Sequence, residues 1–387
     1  MIELTIDGVA VSAPEGATIW EAARAHGIEI PVLCHDPRLE PVGVCRMCAV
    51  DVGERTLAAA CVRECEPGME VRTTSEAIES DRRMLTELLM VDQPAGEDAR
   101  EAALGDNALL ALARRYDVDG SSLPRGEARA SDASSPVIDV AHDACILCDR
   151  CIRACDDIQS NEVLGRTGKG YGAGIAFDLG APMGESTCVS CGECAAVCPT
   201  SALLDKAIGT ALQPRSALEA VDTVCPYCGV GCTLTYHVDR AENQIVFAEG
   251  RESPASQQRL CVKGRYGWDY TEHPQRLTRP LIRRDSHYPK APLSSDVRGE
   301  HTGRRKPGGL VDYDEVMPAF REATWEEALD LVASRLAGLR DAHGPNALAG
   351  FGSAKCSNEE AYLFQKLVRA VFGTNNVDHC TRLCHAS

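Results

Sequence analysis

The chain has 387 residues, 44% of them apolar, enough for roughly two to four domains with cores of their own. Its formal net charge of −17 repels phosphate backbones and excludes nucleic acid as a partner; the basic run GRRKP at 303–307 reads as a solvated loop. No apolar run approaches the roughly 18 residues of a membrane span. The opening MIELTIDGVAVSAPEG has no basic segment leading into an apolar one, and the pairs Arg82-Arg83 and Arg114-Arg115 lie too far in for an export signal, so a cytoplasmic chain is expected. In that compartment thiols stay reduced, and twenty cysteines read as metal ligands, not disulfides.

In chain order, residues 2–13 alternate apolar and polar around Asp7-Gly8, the signature of a hairpin with a type I′ turn. Thr18 and Glu21 then form a capping box for a short helix ending at Gly27, and a β-grasp domain is expected over 1–78. Residues 79–137 read as a helical connector around RRMLTELLMV that passes into a polar linker ending at EARASDASSP. A cysteine-dense, glycine-rich domain follows at 138–206. A second linker, about 207–220, leads into a further cysteine-bearing segment at 218–275. In 276–387, TWEEALDLVASRLAGLRDAHG predicts a helix with Thr324 and Glu327 as capping box, Trp325, Leu329, Val332, Leu336 and Leu339 on its apolar face, and Gly344 as stop. NALAGFG predicts a buried strand and 357–372 a second helix closed by Gly373, the beginning of an α/β domain. The whole is of the multidomain α+β class.

The first cysteine group is Cys34, Cys45, Cys48 and Cys61, with ten, two and twelve residues between successive members. A C-x2-C pair flanked by two distant cysteines suits a 2Fe-2S cluster, whose thiolates converge on one small core from a wrapped loop. The spacing departs from the plant-type C-x4-C-x2-C pattern, and four thiolates could also surround a tetrahedral zinc ion. CILCDRCIRAC and CVSCGECAAVCP both have C-x2-C-x2-C-x3-C spacing, the two-cluster ferredoxin pattern in which each fourth cysteine serves the other cluster. Cys145, Cys148, Cys151 and Cys198 are thus assigned to one 4Fe-4S cluster, and Cys188, Cys191, Cys194 and Cys155 to its twin. Asp156 replaces the proline that commonly follows the first motif and removes no ligand. The fourth group is CPYCGVGC, with Cys225, Cys228 and Cys232 and a distant candidate in Cys261.

CPYCGVGC, LCVKGRYGWDY, QKLVRAVFGTNNVD and CTRLCH together resemble the molybdopterin-dependent formate dehydrogenases, and the preceding modules resemble the catalytic α subunit of the soluble NAD-dependent type. The resemblance implies a β-grasp 2Fe-2S ferredoxin, a two-cluster 4Fe-4S ferredoxin, a 4Fe-4S domain and the start of the α/β molybdopterin oxidoreductase fold. It implies that Cys225, Cys228, Cys232 and Cys261 bind a third 4Fe-4S cluster beside the pterin, and that Lys263, otherwise an ordinary surface charge, bridges that cluster to the pterin. Cys384 matches the position that ligates molybdenum or tungsten in a bis-molybdopterin guanine dinucleotide centre, and His385 matches the adjacent catalytic histidine. A soft thiolate suits such a metal, and a neighbouring imidazole can handle a proton near neutral pH. Cys65, Cys356 and Cys380 remain as structural thiols, although Cys380 could tune the metal pocket.

The implied activity is oxidation of formate to carbon dioxide, with electrons carried through one 2Fe-2S and three 4Fe-4S clusters to a flavin- and iron-sulfur-containing, NADH-dehydrogenase-like partner. Two departures stand out. Many relatives carry an extra 4Fe-4S cluster bound by one histidine and three cysteines; here Gln93 stands where that histidine would lie, with no cysteine between Cys65 and Cys145, and the cluster is expected to be absent. The catalytic subunit of the resembled family also continues for several hundred residues past the Cys-His pair, so a fragment or one piece of a split subunit is expected, inactive with formate by itself. The competing reading is a non-catalytic conduit like the large iron-sulfur subunit of NADH:quinone oxidoreductase or of a hydrogenase diaphorase module, which has no need of Cys384-His385. A zinc-stabilised scaffold is a third.

Overall fold

The computed structural model describes residues 1–287 and 316–380; the basic run at 303–307, Cys384 and His385 lie outside the described residues. The chain divides into two compact units, one of residues 1–224 and 232–267, the other of residues 225–231 and 268–387.

In the first unit, β1 (Ile2–Ile6) and β2 (Val9–Ala13) form an antiparallel hairpin in which Ile2 faces Ala13 and Ile6 faces Val9. Asp7 and Gly8 close it with φ of 50° and 79°, the two positive angles a type I′ turn requires. Thr18 caps α1 (Ile19–Ala25) in a complete capping box with Glu21. After the two-stranded β3 (Ala49–Val50) and β4 (Ala58–Ala59), β5 (Glu70–Val71) returns parallel to β1, giving the order β2-β1-β5 of a β-grasp. Leu4, Ile6, Val11, Ile19 and Val71 make its core, and Cys48 and Cys61 are packed into the same core.

The connector is more helical than its composition suggests. α2 (Glu76–Met90) is capped by Ser75, and the polar stretch after it holds α3 (Ala99–Leu104) and α4 (Ala108–Tyr116), started by the side chains of Asp98 and Asn107. The Asp and Asn that read as linker are N-caps, whose oxygens satisfy the first free N–H groups of a helix. Arg82 on α2 is wholly buried and donates to the carbonyls of Met47 (3.1 Å) and Ala49 (3.0 Å), pinning the helix to the loop that carries Cys48.

In the ferredoxin-like module, β6 (Ile138–Val140) precedes the short helix α5 (Arg150–Arg153), the hairpin β7 (Leu164–Thr167) and β8 (Gly174–Phe177), and α6 (Glu193–Val197). Then β9 (Leu203–Asp205) pairs back antiparallel on β6, and the single turn α7 (Lys206–Gly209) occupies part of the expected second linker. The unit closes with an antiparallel sheet of β10 (Glu219–Val224), β11 (Thr233–Asp239) and β12 (Gln244–Gly250) and the short α8 (Val262–Tyr266). None of the helices among the described residues is long and apolar enough to cross a membrane.

The second unit pairs β13 (Leu281–Arg283) with β14 (Phe320–Glu322), then runs through α9 (Trp325–His343), β15 (Gly350–Gly352), α10 (Asn358–Lys366) and β16 (Val377–His379), with β15 and β16 parallel. α10 runs on as a wider helical turn to Phe372 before Gly373 turns the chain at φ 80°. Three expectations are corrected here. Thr324 caps α9, but Glu327 pairs with Arg321 at 2.5 Å, so the capping box is half formed. Trp325, Leu329, Val332 and Leu339 are exposed and α9 buries no residue, because among the described residues no second layer covers that face. The expected buried strand has only Leu348 and Gly350 inside, with Phe351 open to solvent beside a single partner strand.

Candidate functional site

The β-grasp loop brings Cys34, Cys45, Cys48 and Cys61 together. Each of Cys34 and Cys45 donates its main-chain N–H to the other's Sγ, at 3.4 and 3.5 Å, and the Sγ atoms of Cys48 and Cys61 lie 3.4 Å apart. Hydrogen bonds from its neighbours pull the Cys34 thiol down, most of all the bond from Cys45, while Cys45 and Cys61, as donors to it, are pushed up. The bond from Cys61 brings Cys48 to about 7. Four thiols that compete for protons in this way suit a cationic core that replaces the protons. His35, beside them, is buried edge-on to Trp20 with ring centroids 4.5 Å apart, and burial holds its pKa below the ordinary value.

The ferredoxin-like module repeats one loop twice. In CILCDRC, Leu147 and Asp149 have φ of 54° and 59°; in CVSCGEC, Ser190 and Gly192 have φ of 54° and 79°. Left-handed residues at alternate positions curl the backbone so that N–H groups and thiols turn inward, a costly conformation for leucine and serine that persists where it builds a site. Ser190 N–H donates to Cys188 Sγ at 3.4 Å. One small cavity is lined by Cys145, Cys148, Cys151 and Cys198, and another by Cys155, Cys188, Cys191 and Cys194. Each thus joins three cysteines of one motif to the last cysteine of the other. The remaining lining is largely apolar, with Ile175, Pro199 and Leu203 in the first and Phe177, Met183 and Val163 in the second. Burial pushes Cys148 up to about 12 and also raises Cys145, Cys151, Cys188, Cys191 and Cys194. Buried thiols of this kind call for a cationic partner, and an iron-sulfur core fits the donor set of four cysteines around each cavity. Among the described residues no three His, Cys, Asp or Glu side chains gather on a point suited to a single metal ion.

Charged residues that motif reading overlooked frame these loops. Glu193, with no exposed side-chain surface, pairs with Arg265 at 2.6 Å, and Arg265 Nε donates to the carbonyl of Cys191 at 2.9 Å. Tyr266 donates to Asp205 beside them. Arg150 bonds Asp36 at 2.7 Å, and Arg153 reaches the carbonyl of Cys34. The signal was present: arginines sit at fixed offsets inside CDRCIRAC and LCVKGRYGWDY. Gln93 donates weakly to the carbonyls of Leu89 (3.3 Å) and Ala144 (3.5 Å). Leu33, Met47, Leu109, Leu112 and Tyr116 form one hydrophobic cluster, against which Cys45 and Ile146 pack.

The fourth cysteine group is divided. Cys232, half-buried, and Cys261, exposed at the start of α8, belong to the first unit, as does the exposed Lys263. Cys225, buried, and Cys228 belong to the second, where Asn358 at the start of α10 donates to the carbonyl of Gly229 at 2.8 Å and anchors their loop. Cys65 is buried in the β-grasp core; Cys356 Sγ donates to Ser353 and Cys380 Sγ accepts from Ala354 N–H, at 3.0 and 3.1 Å.

The chain matches the 2Fe-2S iron-sulfur cluster binding domain over residues 1–76, the 4Fe-4S dicluster domain over 144–202, the molybdopterin oxidoreductase Fe4S4 domain over 218–273 and the molybdopterin oxidoreductase family over 276–387. In this order the matches define an iron-sulfur oxidoreductase. The chain belongs to the molybdopterin oxidoreductase family, with its iron-sulfur domains at the front. It is 33% identical over 99% of its length to a component of an NADH-quinone oxidoreductase of Rhizobium meliloti, covering 40% of that protein. It is 27% identical over 99% of its length to a Staphylococcus aureus protein provisionally named a formate dehydrogenase, covering 39% of it. Among solved structures, an NAD+-reducing nickel-iron hydrogenase in the H2-reduced state aligns with a TM-score of 0.51 and 28% identity, over 56% of this chain and 97% of the hydrogenase chain. The chain spans about two fifths of the length of the curated relatives it matches.

Proposed function

We propose that the chain is the N-terminal, electron-carrying portion of a molybdopterin formate dehydrogenase α subunit, which oxidises formate to carbon dioxide and passes electrons to a flavin-containing partner that reduces NAD. The observation that carries the electron-transfer part is the pair of cavities each ringed by three cysteines of one ferredoxin motif and the last of the other. Cys34, Cys45, Cys48 and Cys61 would hold a 2Fe-2S cluster. Three 4Fe-4S clusters would be held by Cys145, Cys148, Cys151 and Cys198; by Cys155, Cys188, Cys191 and Cys194; and by Cys225, Cys228, Cys232 and Cys261. The clusters supply one-electron storage, and a molybdenum or tungsten bis-pterin centre in the complete subunit supplies a two-electron acceptor.

This chain's residues do the rest. Apolar linings keep water from the ferredoxin-like sites, and inward N–H groups stabilise thiolate charge. Lys263 would serve electron passage from the pterin to the third 4Fe-4S site. The formate assignment rests on CTRLCH, with Cys384 as metal ligand and His385 as proton acceptor. In the complete subunit, Cys384→Ala abolishes formate oxidation while the clusters remain and NADH still reduces an artificial acceptor through the flavin partner. Formate turnover like the parent's removes the catalytic assignment. The similarity over 97% of a hydrogenase chain favours a second reading, an electron conduit without a formate site. Under it, formate leaves the clusters of the complete parent protein oxidised.

A further inference from the structure

Two arginines three residues apart in CDRCIRAC reach the same β-grasp loop and end there differently. Arg150 finds a carboxylate, Asp36, at 2.7 Å, and donates to the carbonyl of Leu33 at 3.4 Å. Arg153, only 9% exposed, donates through Nη2 to the carbonyl of Cys34 at 2.5 Å and to that of Cys148 at 3.4 Å, through Nε to that of Asp149 at 3.3 Å, and through Nη1 to that of Glu40. No carboxylate among the described residues lies within 4.0 Å of its guanidinium. A buried cation is costly unless an anion faces it. Carbonyl dipoles satisfy its N–H groups but carry no net charge, and the anions that fit are the thiolate-ligated clusters on either side, in which four thiolates outweigh the charge of the cationic core. The one side chain thus ties the main chain of a β-grasp cysteine to that of a ferredoxin cysteine.

We propose that Arg153 is a positioning residue that clamps the 2Fe-2S loop directly onto the first 4Fe-4S loop and lends its charge to both sites, making the two clusters immediate neighbours. The proposal rests on the ligand assignments above. Planar, two-pronged donation is what an arginine supplies and a lysine does not, so charge and geometry can be separated.

The test uses the 387-residue chain reconstituted with iron and sulfide, fully reduced and studied by electron paramagnetic resonance and redox titration. The parent gives signals split or broadened by spin interaction between the two clusters. Arg153→Ala retains the parent's iron and sulfide, loses the splitting, and makes reduction of the 2Fe-2S group about tenfold less favourable, a 59 mV fall for a one-electron couple. Arg153→Lys keeps the potential but weakens the splitting, and it carries the test by itself should the alanine variant not fold. An Arg153→Ala spectrum and potential equal to the parent's overturn the proposal. A parent chain that takes up no iron overturns the ligand assignment instead, and the iron content distinguishes the two failures.

Discussion

Gly192, between Cys191 and Cys194, gives the sharpest test of how the second ferredoxin-like loop is built. Its φ is +79°, and a Cβ there would overlap Arg265 Cδ and Tyr266 Oη and lie 2.6 Å from Arg265 Nε. Forcing an L-residue into the left-handed region costs about 1–2 kcal/mol. Displacing Arg265 also breaks its pair with Glu193, whose partners have side chains 4% and 0% exposed, and breaking a buried pair costs about 3–5 kcal/mol. Gly192→Ala should therefore destabilise the loop by about 4–7 kcal/mol, comparable with the whole stability of a domain, about 5–15 kcal/mol. Gly8 is the control, because it has the same φ of +79° and a Cβ there would meet nothing within 4 Å. Gly8→Ala should show only the backbone cost of about 1–2 kcal/mol. Amide hydrogen exchange reads local opening free energies: protection across residues 188–198 should collapse in Gly192→Ala, with bound iron reduced, while Gly8→Ala barely changes either. Equal losses in the two variants would refute the claim that Arg265 packing, and not backbone strain alone, demands glycine.

Three further outcomes are expected. Cys198→Ser should remove the cluster assigned to Cys145, Cys148 and Cys151, and Cys155→Ser its twin, each lowering iron by about four atoms with a distinct loss of resonance signal; an unchanged iron content in either variant contradicts the exchanged ligation. Lys263→Ala in the complete subunit should slow cluster reduction by formate and leave cluster content intact; unchanged kinetics return Lys263 to a surface charge. Burial pushes the Glu249 carboxyl up, but bonds from His237 (2.6 Å) and Arg215 (3.2 Å) outweigh it and hold the pKa below the ordinary 4.5. A depressed folded value means stability present above pH 4.5 and lost as pH falls through the folded value. Glu249→Gln should flatten the acid limb of a melting-temperature profile below pH 4.5, and an unaltered limb would count against this pairing.

How far the sequence can be read depends on how local the cause is. The Asp7-Gly8 turn, the Thr18-Glu21 box and the N-cap of α9 at Thr324 are set within four residues, and all form. The ferredoxin-like spacing implies an exchange of fourth cysteines, and the two cavities contain the corresponding side chains. What escaped reading depends on distant partners. Arg153 and Arg265 look like surface charges until the folded chain sets them against Cys34, Cys148 and Cys191. α3 and α4 were hidden in a linker-like composition because Asp98 and Asn107 serve loops and helix starts alike. Conversely, the apolar stripe of α9 has the right period without the burial that period implies, since burial belongs to whatever covers it.

The central claim, that these cysteine groups hold iron-sulfur clusters, is tested most directly by iron and acid-labile sulfide analysis of the anaerobically purified chain. The account predicts a brown protein with about 14 iron and about 14 sulfide per chain, from one 2Fe-2S and three 4Fe-4S clusters. About 18 iron would reveal a further cluster near Gln93, and a colourless protein holding zinc without sulfide would contradict the account.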